Sequence, residues 1–338
     1  MKAMDWKVVN FLILVAMTLF SSLASSRSFL DREDVREYLD EVSLTHGFSK
    51  EYLKSIFLEH EPNSRILALM SKPTEKRLEW YQYKKLLVDE PRIELGLKFW
   101  NANQIALDRA ERVYGVAPEF IVAIIGIETR YGRVMGSFPV VRALATLAFD
   151  FPARAGFFRK ELTEFLILTR SQKLDPLILK GSYAGAMGYG QFMPSSYRAY
   201  AVDFDRDNFK DIWNNKSDAI GSVANYMSEH GWVGEGPVIV RAVRDDSIES
   251  GHLAGGSLKP NVLAGELREK GIYSSLPDSD RVALFVMQGE QEKEYWLGLD
   301  DFYVITRYNH SSMYALAVYQ LSQALRQKRL ESPKSLEF

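Results

Sequence analysis

The sequence predicts a mainly α-helical protein, α+β overall, in which a small α+β module interrupts the helical run before the last helix. Three observations lead there. Between residues 33 and 230 apolar residues recur at helical spacing. Beyond Gly231, runs rich in Val, Ile, Phe and Tyr are separated by Gly, Asp and Ser, the texture of short strands. From Ser311 a long apolar helical pattern resumes.

Residues 1–26 read as a targeting segment. Lys2 and Lys7 precede an apolar run from Val8 to Phe20, followed by the small residues Ser21, Ser22, Ala24, Ser25 and Ser26. That order matches a secretory signal, and the run is short for a membrane span of about 20 residues. Val35, Leu39 and Val42 then mark a helix closed by Gly47, and Ser49 suits the cap of a second one carrying Leu53, Ile56 and Phe57. Pro91 opens a pattern running through Ile93, Leu97, Trp100, Leu107 and Tyr114 to Gly115. Phe158, Leu162, Phe165 and Leu166 form another. Residues 217–230 make one more, with Ser217 as cap, and Gly231 as stop. In the module, strands are expected over 237–244, 281–288 and 302–307, with a short helix over 263–270.

The most informative stretch runs from Pro118 to Gly132. Pro118 and Glu119 suit the first turn of a helix, and Gly132 reads as its stop. Almost everything between is apolar, which marks a helix buried on most sides. Glu128 shares the face of Ile121, Ile124 and Ile125. Desolvation there raises a carboxyl pKa toward the range of a general acid. A boundary glutamate paired with Arg130 or Arg133 is the plainer alternative.

Residues 180–196 hold four glycines within ten positions, 181 to 190, so the backbone turns tightly and a ligand can approach closely. The order is neither GxGxxG nor a phosphate-binding GxxxxGK[ST], and Ser182 is not centred in GxSxG. A polar loop lining a cleft, with Ser182 and Gln191 as hydrogen-bonding groups, competes with a glycine-rich turn that merely packs. Asp203, Asp205 and Asp207, with the carbonyl of Phe209, follow the order of oxygen ligands in an EF-hand-like calcium loop. Asn214 stands where the bidentate glutamate belongs, and Asp218 is the nearest acid able to close the cage. An Asx-rich surface turn is the alternative.

Composition narrows the function classes. Of 338 residues, 46% are hydrophobic and 12% aromatic, with a net charge of −2, so there is no electrostatic footprint for nucleic acid. There is no cysteine, which excludes disulfides, thiolate metal sites, a cysteine nucleophile and cysteine-linked lipid. Five scattered histidines form no HExxH. Nothing in the sequence points to an organic cofactor.

Taken together, these stretches closely resemble the lytic murein transglycosylase B family of bacterial cell-wall enzymes. The resemblance rests on IIGIETRYGRVMG at 124–136, RALATLAFDFP at 142–152 and KGSYAGAMGYGQFMPSSY at 180–197, extended by DFDRDNFKDIW at 203–213, DAIGSVANYM at 218–227 and RYNH at 307–310. It implies a lysozyme-like catalytic core at 96–232, completed by a last helix at 305–330. A flanking helical domain would occupy 27–95 and the inserted module 233–304. In the family one glutamate works alone, and it falls on Glu128. It protonates the glycosidic oxygen between N-acetylmuramic acid and N-acetylglucosamine, then takes a proton from the muramic C6 hydroxyl, leaving a 1,6-anhydro end. Substrate contacts carry over to Ser182, Gln191, Tyr226, Tyr308 and Asn309. A structural Ca2+ falls on Asp203, Asp205, Asp207, Phe209 (carbonyl) and Asp218, one residue being inserted before the last. The implied partner is the peptidoglycan glycan strand, with cell-wall synthases as further candidates. Many members are lipoproteins; this chain lacks the cysteine, which favours a soluble periplasmic form. A hydrolytic muramidase and a silent peptidoglycan-binding module are the rival readings.

Overall fold

The computed structural model describes residues 28–58, 60–71, 78–245, 247 and 256–331. The expected signal segment and the tail from Ser332 lie outside them. The protein is mainly helical, and most helices begin and end where their caps dictate. The Glu33–His46 helix stops at Gly47, which adopts φ 65° and donates its N–H to Ser43 O. Ser49 Oγ accepts the Tyr52 N–H at 3.0 Å in the first turn of Lys50–Leu58. Glu79 and Gln82 close a reciprocal capping box at the start of Trp80–Leu87. Asp89 caps Glu90–Ala102 by accepting the Arg92 N–H at 2.8 Å.

The single long pattern expected after Pro91 is two helices, Glu90–Ala102 and Gln104–Tyr114. Asn103 breaks them: its backbone leaves the helical region at φ −126°, and its amide donates back to Phe99 O at 2.7 Å. Local competition for backbone partners outweighed the apolar periodicity.

Pro118–Thr129 is the central helix. Every residue from Pro118 to Gly126 is buried. The helices Glu90–Ala102, Gln104–Tyr114, Lys216–Glu229 and Ser312–Glu331 all pack against it. Ile121, Ile124 and Ile125 are fully enclosed, each contributing about 1.5–3 kcal/mol relative to exposure. The helix ends earlier than expected. Arg130 (φ 48°) and Tyr131 (φ 61°) already turn left-handed, before Gly132 at φ 85°. The Lys216–Glu229 helix is likewise capped by Asn215, not Ser217: Asn215 Oδ1 accepts the Ser217 and Asp218 N–H groups.

The inserted module is a five-stranded antiparallel sheet, in spatial order 262–263, 281–288, 293–298, 239–244, 272–273. One face, with Ala242, Ile272, Leu284 and Leu297, packs on Ala264 and Leu267 of the short Ala264–Arg268 helix. The other sends Ile239, Ala283, Phe285 and Met287 into the main core. The strand expected at 302–307 is helical instead, within Asp300–Tyr308. Its aromatic and β-branched residues suit a strand, but Asp300 and Asp301 favour a helix start, and Phe302 and Ile305 fall on one helical face buried in the core. The helix runs across position 304, where the module was expected to end. The 293–298 strand went unrecognised because its first half, Lys293 and Glu294, is charged.

One carboxylate fastens module to helices. Glu294 Oε2 accepts from Trp80 Nε1 (3.2 Å), Trp296 Nε1 (3.0 Å) and Arg241 Nη1 (2.7 Å). Glu294→Ala should destabilise the protein by about 1–3 kcal/mol in chemical denaturation, because it strands the buried Trp80 indole N–H. Glu294→Gln, which keeps an acceptor oxygen, should lose less; equal losses would show that the clamp is not hydrogen bonding.

Candidate active site

Glu128 stands in the last turn of the central helix, half-buried, one turn beyond the fully enclosed Ile124 and Ile125. Tyr314, two residues into the Ser312–Glu331 helix and 2% exposed, donates its hydroxyl to Glu128 Oε1 at 2.6 Å. Burial first, and then the charge of Glu128, push the Tyr314 hydroxyl well above its ordinary value, so it remains a neutral donor. Arg130 turns away and reaches Asp89 at 3.3 Å.

Thr129 couples the helix end to the glycine-rich stretch. Its Oγ1 lies 3.1 Å from both Ile125 O and Tyr189 O, which share its one proton, and it accepts the Gly132 N–H at 3.0 Å. At Gly132 the positive φ and the ring of Tyr189, 2.3 Å from where a Cβ would sit, leave room for glycine alone. The stretch itself is stitched by short pairings: 138–139 with 180–181, Gly181 with Met187, and Met187 with Phe192. Gly190 brings the backbone under Tyr308, whose hydroxyl donates to Gly190 O at 2.6 Å.

Tyr226 and Tyr308 come together as an aromatic wall. Their rings meet edge-on at 4.7 Å, with Phe192 at 5.8 and 6.0 Å from them. His230 stacks on Tyr226 at 4.0 Å. The Tyr226 hydroxyl donates to Arg307 O at 2.6 Å and is pushed up to about 12, chiefly by burial. Burial, followed by the charge of Glu128, raises Tyr308 as well. Both phenols are thus held by backbone; Tyr226 is buried within the cluster, and Tyr308 is the half-buried ring in front of it.

Ser182 Oγ accepts the Ala184 and Ala186 N–H groups at 3.2 and 3.1 Å, leaving its proton to donate. Gln191 takes a left-handed backbone (φ 50°), and its Nε2 is bound by Gly188 O and Met135 O. Its carbonyl oxygen is left as an acceptor. Asn309 follows Tyr308 directly and is half-buried; its side chain makes no hydrogen bond among the described residues.

Glu161 and Asp150, acids of the helices Ala155–Ser171 and Val140–Asp150, have partners of their own. Glu161 accepts from Ser195 N (2.9 Å) and Ser195 Oγ (2.7 Å), and Asp150 pairs with Arg32.

Asp203, Asp205, Asp207 and Asp218 converge, with one oxygen from each within 4.8 Å of the others. The loop is shaped by its own carboxylates: Asp203 accepts the Asp207 and Asn208 N–H groups, and Asp207 accepts that of Phe209 at 2.8 Å. Asn208 sits at φ 71°, the turn that glycine ordinarily supplies. Asp218 is fully buried and accepts from Phe204 N and Asp211 N; burial raises its carboxyl pKa. Four carboxylates and no nitrogen or sulfur donor fit a hard cation such as calcium.

Fold and site together define a lysozyme-like helical protein with a half-buried acid at the end of its central helix, beside an aromatic cluster. The comparisons place it more finely. The model of the transglycosylase SLT domain matches residues 31–323. Membrane-bound lytic murein transglycosylase B of Escherichia coli K12 is 41% identical over 316 residues, 90% of this chain and 85% of its own. The crystal structure of soluble lytic transglycosylase SltB1 from Pseudomonas aeruginosa superposes with a TM-score of 0.83 at 48% identity, covering 88% of this chain and 99% of that one. The E. coli lytic transglycosylase Slt35 in complex with calcium gives 0.81 at 41%, covering 91% and 96%. The chain belongs to the lytic murein transglycosylase family with an SLT domain.

Tyr314 and Thr129 are the residues that sequence reading missed. Tyr314 lies 186 positions from Glu128, and a lone hydroxyl on an apolar helix carries no local signal. Tyr314→Phe should keep the fold but lower kcat by about tenfold or more, with KM little changed, since it removes one hydrogen bond to a charged group. An unchanged kcat would make Tyr314 a packing residue only.

Proposed function

We propose that the chain is a lytic transglycosylase that cleaves the β-1,4 bond between N-acetylmuramic acid and N-acetylglucosamine in peptidoglycan and leaves a 1,6-anhydro end. The observation that carries this reading is the half-buried Glu128 carboxylate, held by the Tyr314 phenol, with Glu161 bound to Ser195 and Asp150 paired through one oxygen with Arg32. Ordinary glycosidases need two carboxyls roughly 5–10 Å apart. Glu128 alone can serve if the nucleophile is an internal hydroxyl of the sugar.

With Oε1 held by Tyr314, Glu128 gives its proton to the leaving glycosidic oxygen. The muramic N-acetyl group assists as C1 loses that bond. The resulting carboxylate then accepts the proton of the C6 hydroxyl as that oxygen attacks C1. Because attack is intramolecular, it needs no bound water, and effective molarity supplies much of the rate. Tyr308 offers ring surface to sugars, backed by the buried rings of Phe192 and Tyr226, while Ser182, Gln191 and Asn309 offer hydrogen bonds to N-acetyl and peptide groups.

Glu128→Gln should lower activity on isolated sacculi by on the order of 10²–10⁴-fold while leaving the fold intact. Wild-type products should end in 1,6-anhydro-N-acetylmuramic acid, lighter by one water than hydrolytic products in mass spectrometry. A reducible end would replace this mechanism with that of a muramidase. No lysis at all by the wild type would favour a binding module.

Calcium, when bound, would be held by Asp203, Asp205, Asp207, the Phe209 carbonyl and Asp218, and would tie the 203–209 loop to the buried start of the Lys216–Glu229 helix. It has no part in the chemistry. Sites of extracellular type bind at roughly 10⁻⁴–10⁻³ M, so millimolar calcium should raise the melting temperature and chelator lower it. Asp207→Ala should abolish that response; indifference of the wild type to calcium and chelator would leave only an acidic turn.

The work is done in the periplasm after removal of residues 1–26, with the flanking domain ending ahead of the Glu90–Ala102 helix, the module lying between 232 and the Asp300–Tyr308 helix, and cell-wall synthases as candidate partners. No helix among the described residues is long and apolar enough to cross a membrane. Fractionation should recover a protein beginning near Arg27; recovery in salt-washed membranes still carrying Met1 would refute the cleavage.

A further inference from the structure

Residues 210–213, just beyond the acidic loop, lie against the glycine-rich stretch and hold it at two points. Ile212 O accepts the Tyr189 N–H at 3.0 Å. The Trp213 indole Nε1–H donates to Lys180 O at 3.2 Å, two residues before Ser182. The fit is close: a Cβ on Gly188, which adopts φ 68°, would sit 2.4 Å from Ile212 O. The turn that makes these contacts is itself fixed. The Trp213 N–H is accepted by Asp211 Oδ1 at 2.9 Å, and its ring lies 5.7 Å from that of Tyr197. Tyr197 donates its hydroxyl to Lys210 O at 2.6 Å, and the Asp211 N–H reaches the buried Asp218 at 2.8 Å.

The glycine-rich stretch needs support from outside. Glycines at 181, 185, 188 and 190 widen the backbone's choices and offer no side chain to pack, so other segments must impose its conformation. Met187 closes the middle by its pairings, while Thr129 and Tyr308 hold the far end at Tyr189 O and Gly190 O. At the near end, the 138–139 pairing and the Trp213 indole fix the approach to Ser182. Ser182 Oγ accepts the Ala184 and Ala186 N–H groups, so where its hydroxyl proton can point follows from where the backbone runs. Glu128 and Tyr314 are joined by a bond of their own between two other elements.

We propose that Trp213 is a positioning residue for substrate: its indole N–H fixes Lys180, and through Lys180 the place where the Ser182 hydroxyl is presented. This rests on the function proposed above, in which Ser182 contacts the glycan strand. A brace of this kind acts before chemistry. Without it, the substrate must order the stretch as it binds, which weakens binding and leaves the proton transfers at Glu128 as they were.

The test is steady-state kinetics of the whole mature protein on soluble, un-crosslinked peptidoglycan strands. Trp213→Phe keeps a ring against Tyr197 and removes the donor. It should raise KM about three- to tenfold, the loss of one hydrogen bond, with kcat within about twofold of the wild type. The deciding measurement is a double-mutant cycle with Ser182→Ala. If Trp213 acts through Ser182, Trp213→Phe should raise KM little further once Ser182 is alanine. Additive effects on KM overturn the proposal, as does an unchanged KM in the single variant or a loss confined to kcat. Trp213 is half-buried, so the variant should fold; if melting shows that it does not, Trp213→Tyr takes its place in the same cycle. A wild type that cleaves no glycan sinks the function proposed above and this inference with it. A wild type that cleaves, with an additive cycle, sinks this inference alone.

Discussion

The hydrogen bond from Tyr314 to Glu128 joins two helices that lie far apart in the chain, and much of the architecture serves to make it possible. A carboxylate can be held half out of water only if its neighbours are apolar and at least one donor satisfies it. The apolar neighbours come from the central helix itself, and the donor comes from the last helix, delivered only after the module has been inserted between them in sequence. Because four helices pack against the central helix, the backbone that carries Glu128 is held in place while its carboxylate stays half-exposed.

The abrupt end of that helix has the same purpose. Arg130 and Tyr131 adopt left-handed backbones, conformations that cost of order 1–3 kcal/mol for residues other than glycine. In return the chain turns back at once, so that Thr129 binds Tyr189 O and the glycine-rich stretch comes to lie beside Glu128. Pairings through Met187 then keep the stretch rigid enough to present Ser182 and Gln191. The strain at the helix end and the close approach of the loop are two sides of one geometric requirement.

Both ends of the central helix carry an acid, and the contrast between them is informative. Glu128 has a phenol donor and lies near the Tyr226–Tyr308 ring pair. Glu119 is ion-paired at 4.0 Å with the exposed Arg326, and both line a small cavity. The same buried helix thus sets the two carboxylates about 13 Å apart, one at each end, by its rise per residue.

Much was legible in the sequence alone. Buried helices announce themselves by unbroken apolar runs, caps by Ser, Asp and Gly, and the Glu128 helix, the glycine-rich stretch and the Asp203–Asp207 loop are each local patterns whose chemistry depends on near neighbours. Those signals identified the mainly helical class, the interrupting module and the candidate acid. Tertiary structure decided what local patterns cannot encode. Residues 302–307 form a helix, not a strand, because Asp301 binds the Val233–Gly234 loop and Phe302 and Ile305 find a core on one face. Asn103 splits one apolar pattern into two helices because its amide turns back on Phe99. The partner of Glu128, the commitment of Glu161 to Ser195, and the cavity at Glu119 all arise from contacts between segments distant in sequence. The physical reason is common to them: propensity and periodicity act over one or two turns, whereas the pairing of a buried polar group is settled by whichever donor the packed chain brings within 3 Å of it.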